Sequence, residues 1–548
     1  MKNRPVLQHF VAGLAAVTFL ILWGAASAVN VAVNPAPDFD FGPSEEAARQ
    51  NGFHIFNAVH SALRQWGSSL NHNGLSLFLA TVPNGVLLYH GDDVPDQPPS
   101  FEWLAFEIEH AEQFARPRRS RRMPDPPLGL LNQHAQDGQA KSAYDDGDEE
   151  PHEYPGYLQI YRVTKPFRVL YVDGMGAGKT DLGTLDTQDF LLRNSRSEHP
   201  IRDYERGQDL CDIAVAWGLQ GVLRMEAGFE IIKCNFSDSI ELVSVRQRPA
   251  LADPGSEDYF EISHLEYMRA VSQRYHGIGS GRAVLDFSSM VSALFYPVNL
   301  TNPDPERPEL LRLAGATEKQ LHAIRLRLAE VVKARGGDTP ASSIDWQGVV
   351  DMIVARYADR LKSMADKTKS LGAMRGAINQ LLNLHIDYPP EGKKEIGKVE
   401  LERCTKHDTA LLVPRTQEDH LILAVIEHVT SSICSALFSV RKLVVADPNA
   451  DEVSLSAAVK IFQDLVDRLQ WTRWKQCPLC EYDEVCFVAM WPFGDTESHE
   501  QPSCRNSSTI GDHSLGSYWP HWSQRPGSGN NNRSYGTTDG DGSGRRDL

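Results

Sequence analysis

The chain has no Gly-x-Ser-x-Gly elbow and no His-Glu-x-x-His pair, so neither a serine hydrolase of that type nor a zinc protease is indicated. It also lacks any surplus of positive charge: 55 Lys and Arg stand against 72 Asp and Glu, a net charge of −17. A nucleic-acid binder needs a basic face to neutralise phosphates, and this balance argues against that class. The basic run at 116–122 and the acidic run at 145–150 are short blocks of the kind that sit on solvated loops. There is no internal repeat. Beyond the N-terminal region the sequence shows no segment that reads as long and apolar enough to span a bilayer, which takes about 20 residues.

The N-terminus sets the expected compartment. Lys2 and Arg4 precede an uncharged apolar run at 10–23, followed by the small residues Ala26-Ser27-Ala28. This is the pattern of a cleaved secretory signal, with an uncleaved single-pass membrane anchor as the alternative. The eight cysteines are an even number, as an oxidising compartment favours. Cys211 and Cys234 form one group, Cys404 and Cys434 another, and Cys477, Cys480, Cys486 and Cys504 a third. Pairing within each group is the simplest expectation. Asn235, Asn299, Asn506 and Asn532 each open a glycosylation triplet, consistent with secretion.

The texture of the chain divides it into a signal peptide at 1–28, a linker at 29–43, an α+β unit at 44–255, a helical unit at 256–475, a Cys-rich segment at 476–510 and a disordered tail at 511–548. Within the α+β unit, short apolar runs such as Leu77 to Val82, Val86 to Tyr89, Tyr157 to Val163 and Val169 to Val172 read as strands, with few helices between them. Residues 117–153 are rich in Pro, Gly, Asp, Gln and Arg. They cannot bury enough apolar surface to offset ordering, which marks a flexible insertion. In the helical unit Thr317 and Gln320 frame a capping box, and Leu321, Ile324, Leu328 and Val331 share a face, as do Trp346, Val349, Ile353, Tyr357 and Leu361.

Two motifs are read as structural. Asp173-Gly174-Met175-Gly176-Ala177-Gly178-Lys179-Thr180 has the outline of a phosphate loop. Asp173 nevertheless stands at its first glycine, and Asp181-Leu182-Gly183 is a poor helix start, so a Gly-rich turn is expected. Cys477-Pro478-Leu479-Cys480 resembles half of a zinc site, but disulfides are expected after a signal peptide, and no metal is expected.

Three separated stretches remain: Gly85 to Gly91 with Tyr89-His90-Gly91, Trp103 to Phe106 leading into the helix at Glu109 to Ala115 with Phe114, and Gly228 to Cys234 with Glu230. Their order and spacing over residues 75–247 resemble the ADP-ribosyltransferase superfamily in its His-aromatic-Glu branch. The resemblance implies an ADP-ribosyltransferase-like split β-sheet with NAD as substrate, and an acceptor that is a protein or small molecule. It also implies roles. Glu230 would hold the ribose and stabilise the cation formed when nicotinamide leaves. His90 would bond the adenosine-side ribose, Phe106 or Phe114 would stack on nicotinamide, and Tyr89 and Gly91 would shape the backbone approach. A fixed carboxylate suits such a cation, and flat apolar rings suit a flat base. Asp92 stands where the family usually has Thr or Ser, both stacking candidates are Phe, and Glu226 competes with Glu230 for the carboxylate's role. The expectation is a secreted NAD-cleaving enzyme, a transferase or a glycohydrolase. The alternative is a non-catalytic secreted glycoprotein with a degenerate cleft, reaching a membrane only through an uncleaved anchor.

Overall fold

A computed structural model describes residues 41–115, 118–120, 152–195, 203–248, 257–274, 277–336, 344–367, 369–388, 397–510 and 517–520. The expected signal peptide, most of the linker and insertion, and most of the tail lie outside these residues. The described residues, all from Phe41 onward, form one compact unit.

The fold is α+β, as the clustered strand runs imply. Its centre is one continuous sheet of nine strands: β1 (Asn73–Val82), β2 (Leu87–Asp92), β3 (Glu102–Ala105), β6 (Tyr157–Val163), β7 (Phe167–Gly174), β8 (Gly221–Met225), β9 (Phe229–Lys233), β10 (Ile240–Gln247) and β11 (Val284–Ser292), in the order β10-β6-β2-β3-β9-β8-β7-β1-β11. Neighbours are antiparallel except β7 and β8. Two short pairs stand apart, β4 (Arg118–Ser120) with β5 (His152–Tyr154), and β12 (Val485–Phe487) with β13 (Ser503–Arg505). The ends of the expected insertion are therefore paired backbone.

The sheet recruits an edge strand from the region expected to be helical. β11 was hidden because Ser288, Ser289 and Ser292 interrupt its apolar pattern. Those hydroxyls do ladder work: Leu79 N–H donates to Ser289 Oγ at 2.8 Å where the register of β1 against β11 shifts, and Ser76 Oγ donates to Ser292 Oγ at 2.9 Å. A side-chain acceptor can stand in for a main-chain one at such an irregularity.

Helices cover both faces. Tyr171, Leu223 and Ile231 form one row across β7, β8 and β9. On their face Leu63 N–H, between the helices Gly52–Ser61 and Gln65–Leu70, donates to Tyr171 Oη at 3.1 Å. The neighbouring row, Arg224, Glu230, Ala105 and Tyr89, points to the opposite face, because side chains alternate along a strand. The helix Asp203–Ala216 lies there, tied by the disulfide Cys211–Cys234 to the residue that follows β9. The other bridges are Cys404–Cys434, Cys477–Cys486 and Cys480–Cys504, each within the expected group. They are compatible with an oxidising, secretory-pathway environment.

One expectation fails by composition. The helical segment Gln417–Ala446 is long enough and, over its most apolar stretch, apolar enough to cross a membrane. Two-thirds of its most apolar window is buried inside the protein, where it packs on β11 and on the helix Gly52–Ser61 as a core helix. The tail also contains structure. Trp519 is fully buried and its indole N–H donates to Phe493 O at 2.9 Å, while Tyr518 Oη meets His72 Nε2 at 2.8 Å. Two adjacent aromatic rings supply the apolar area that the surrounding Ser and Gly cannot.

The helical and sheet portions are locked together at Asp419. Its carboxylate accepts from Ser288 Oγ at 2.6 Å, Trp346 Nε1 at 2.8 Å, Arg415 N at 3.0 Å and Thr416 N at 3.2 Å. Asp419→Ala should lower the unfolding free energy by about 3 kcal/mol, because it strands several buried donors at once. Asp419→Asn, which keeps one acceptor oxygen, should cost less. Urea denaturation at pH 7 measures both, and equal losses would show that packing rather than the carboxylate carries the junction.

Candidate functional site

β8 and β9 are buried along their whole length, so any charged residue on them must find a partner inside the protein. Arg224 and Glu230 find each other across the ladder, Nε to Oε1 at 2.8 Å. Arg224 also holds Asp203, at the start of its helix, at 2.7 Å. Beyond the β8 end, Glu226 accepts from Lys179 at 3.0 Å, and Lys179 lies 3.4 Å from Asp203. His110, from the helix Ile108–Glu112, places Nε2 3.7 Å from Glu226. One ligand atom from each of His110, Glu226 and Glu230 falls within 4.8 Å of the others. Arg206 continues the network, bonding Asp189 at 2.9 Å and Asp203 at 3.2 Å.

A roof closes over the group. The Lys179 ammonium sits 4.6 Å from the centre of the Trp491 ring, and Trp491 N–H donates to Met175 Sδ at 3.1 Å. Tyr267 packs on His110 with ring centres 5.6 Å apart and on Phe493 at 6.2 Å. The segment carrying Trp491 and Phe493 runs between β12 and β13, which the Cys477–Cys486 and Cys480–Cys504 bridges brace. Lys179, Asp203 and Glu226 keep 17, 17 and 13 % of their side-chain surface in solvent, so water reaches the cluster from that side.

The electrostatics separate the carboxylates. Burial would raise Glu226, but Lys179 and His110 outweigh it and hold the group at about 2. Burial likewise opposes ionisation of Asp203, and Arg224 and Lys179 hold it well below the usual carboxylate range. Glu230 moves the other way: burial pushes it up despite Arg224, and the Glu226 charge adds to the rise. Asp203 is shared by Lys179, Arg206 and Arg224, whereas Glu230 has only Arg224 at close range. Glu230 is therefore the member on which burial prevails.

The expected companions of Glu230 are not all here. Tyr89 and Ala105 stand in its row, while His90, the next residue along β2, faces the other way. His90 Nδ1 meets Trp103 O at 2.8 Å, its Nε2 lies 3.5 Å from Asp92, and its ring packs 5.9 Å from Phe236. Nearby Glu102 is pushed up to about 7 by burial. His90 and Glu230 therefore do not share a cleft. Phe106 is fully buried with Arg282 over its ring at 5.9 Å. Phe114 is half exposed, 6.1 Å from His110. At Gly91 a Cβ would lie 2.0 Å from Ala111 O, so the missing side chain admits the helix Ile108–Glu112 rather than a ligand.

Sequence reading missed His110, Lys179, Asp203 and Arg224. Arg224 had a usable signal: a charge inside the apolar run Gly221-Val222-Leu223-Arg224 needs a buried partner. Lys179 was visible in the glycine-rich motif. That motif is a turn, and its lysine goes to carboxylates rather than to a phosphate.

Residues 45–154 and 128–253 match a family model described as the YPL277C N-terminal domain. All the charged residues of the cluster lie within these stretches. The chain is 27 % identical over 539 residues to the uncharacterized protein YOR389W of Saccharomyces cerevisiae, covering 82 % of this chain and 84 % of that protein. It is 28 % identical over 389 residues to the uncharacterized protein YPL277C of the same yeast, covering 60 % of this chain and 78 % of that one. No solved structure matches.

Because Glu226 is held at about 2, below its ordinary 4.5, its pairing stabilises the fold above pH 4.5 and fades as pH falls toward 2. Lys179→Met should cost about 3 kcal/mol at pH 7 by leaving buried carboxylates uncompensated. The gap to wild type should narrow between pH 4.5 and 2. Urea titrations across that window test this, and a pH-independent gap would show that Lys179 contributes only its packing on Trp491.

Proposed function

We propose that this chain is a secreted, glycosylated, ADP-ribosyltransferase-like enzyme that cleaves the nicotinamide–ribose bond of NAD, with Glu226 and Glu230 as its carboxylates. The observation that carries the reading is their convergence with His110 within 4.8 Å while burial and neighbours push the two carboxylates in opposite directions. Two carboxyl groups driven apart in this way divide the work at an oxocarbenium-like transition state. Glu226, ionised at any ordinary pH, supplies the fixed negative charge beneath the ribosyl cation. Glu230, whose affinity for a proton is raised, accepts the proton of the attacking water or acceptor hydroxyl. The C1′–N bond breaks, its electron pair neutralises the pyridinium nitrogen, the incoming oxygen bonds C1′, and the proton passes through Glu230 to solvent. Arg224 orients Glu230 through its 2.8 Å bond. His90 takes no part in this site.

A second reading, a non-catalytic secreted interaction protein, is favoured by the same Glu230–Arg224 pair, which occupies the carboxylate, and by the helix seated on Gly91. One assay separates the two. Purified protein should release nicotinamide from about millimolar NAD. Glu230→Gln should slow release by about a hundredfold or more, His90→Ala should leave it unchanged, and the rate should rise with pH as Glu230 ionises. Absence of turnover by wild type would leave the second reading standing.

A further inference from the structure

The described part of the tail, residues 517–520, bonds three separate parts of the protein. Tyr518 N–H donates to Gly494 O at 2.9 Å and the Trp519 indole N–H to Phe493 O at 2.9 Å, so the tail holds the roof segment. Thr180 Oγ1, next to Lys179 in sequence, donates to Pro520 O at 3.4 Å. The Tyr518 hydroxyl reaches His72, the fully buried residue that precedes β1. The tail thus straps the roof to the turn that carries Lys179 and to the start of the sheet.

The hydrogen bonds around His72 fix its protonation. Asn73 donates its amide N–H groups to Leu182 O at 2.7 Å and Leu311 O at 3.1 Å. Asn73 Oδ1 is therefore an acceptor, and His72 Nδ1, 2.7 Å away, carries a proton. Burial pushes the Tyr518 hydroxyl up to about 12, so it stays protonated. It accepts from Arg307 at 2.7 Å and donates to His72 Nε2 at 2.8 Å, the bare nitrogen of a neutral ring. A second proton on His72 would turn Nε2 into a donor, remove the acceptor of the Tyr518 O–H and add a cation near Arg307.

The surroundings resist that proton. Burial lowers His72 to about 4; its bond to Asn73 and the Glu309 charge oppose the shift, while Arg307 and Arg312 add to it. His499 stacks on Tyr518 with centroids 4.2 Å apart and lies 5.6 Å from His72. Burial lowers it to about 3, helped by His72, Lys475 and Arg307 and opposed by the Leu70 backbone. Arg307 is paired with Glu309 and Arg312 with Asp186, Glu500 acts on Tyr518, and Asp173 lines the cavity that His72 and His499 share.

We propose that residues 517–520 are an acid-released clasp: protonation of His72 frees Tyr518, and the strap and the roof over Lys179 open together. The clasp rests on the bonds of the roof and is independent of NAD cleavage. Once opened, His72 is hydrated and takes its proton near the ordinary 6.5, against about 4 when closed. The clasp is therefore at full strength above pH 6.5 and weakens as pH falls toward 4. Opening becomes about tenfold more favourable per pH unit for each histidine that gains a proton.

The test is hydrogen exchange of the full chain from about pH 7 to about pH 5, corrected for intrinsic rates and read on the roof (490–494) with β6 as internal reference. Roof protection should fall by roughly tenfold or more per pH unit below pH 6.5, while β6 keeps its own. His72→Gln, which takes no proton, should flatten the dependence. Tyr518→Phe loses the bonds to His72 and Arg307 and should leave the roof less protected at neutral pH; it decides the matter if the buried glutamine prevents folding. Equal roof protection at both ends of the range, a loss shared by β6, an unchanged dependence in folded His72→Gln, or undiminished protection in Tyr518→Phe overturns the proposal.

Discussion

A charge on a strand with no solvent-facing side must be answered from within the protein, and the arrangement around β8 and β9 follows from that requirement. Arg224 and Glu230 sit where the sheet is covered on both faces. Neither could be ionised there alone. Their presence calls Asp203 to the start of its helix, draws Lys179 back out of a glycine turn, and brings Glu226 and His110 to the strand end. The network runs on through Arg206 to Asp189 and Arg193, so its four carboxylates and four cations are matched in number but not in place. Glu230 has one close cation, Arg224, whereas Asp203 is shared by three, and burial prevails at Glu230. A group whose proton affinity is displaced in this way is a candidate for proton transfer.

Much of the scaffold was legible because strand cores are local. The runs at 77–82, 157–163 and 169–172 contain enough branched and aromatic residues to declare themselves, and the Thr317 capping box is present with Thr317 and Gln320 bonding reciprocally. β11 was not legible because its serines serve the neighbouring strand through their hydroxyls, a role with no periodic signature. The helix that begins at Gln417 is long and apolar enough to span a bilayer, although the sequence reading found no such segment there. Its apolar surface is the interior of this protein, and composition alone does not reveal what surrounds it.

The site was half legible. Glu230 was singled out on spacing, and it does stand in a cluster of titratable groups. His90 was expected beside it because Tyr89-His90-Gly91 resembles the first motif of the ADP-ribosyltransferase superfamily. A one-residue offset in a pleated strand reverses the direction of a side chain, and only the register of Tyr89 against Ala105 and of Ala105 against Glu230 decides which residue faces where. The imidazole that reaches the carboxylates comes from a helix four residues beyond Phe106, a connection that strand spacing does not encode. Asp173 and Lys179 show the same limit from another side. Six residues apart in one motif, they end on opposite sides of the sheet, one in a polar cavity and the other beneath an indole.

The roof over the charged cluster is supplied by residues far along the chain from it. Trp491 and Phe493 lie more than 250 residues after Glu230, in a segment secured by two cystines. Among the described residues, the roof touches the cluster at two members only, Lys179 beneath the Trp491 ring and His110 through Tyr267, which packs on Phe493. The sheet and its helices enclose Arg224 and Glu230, while the environment of Lys179 and His110 depends on residues braced by two cystines far from them in sequence.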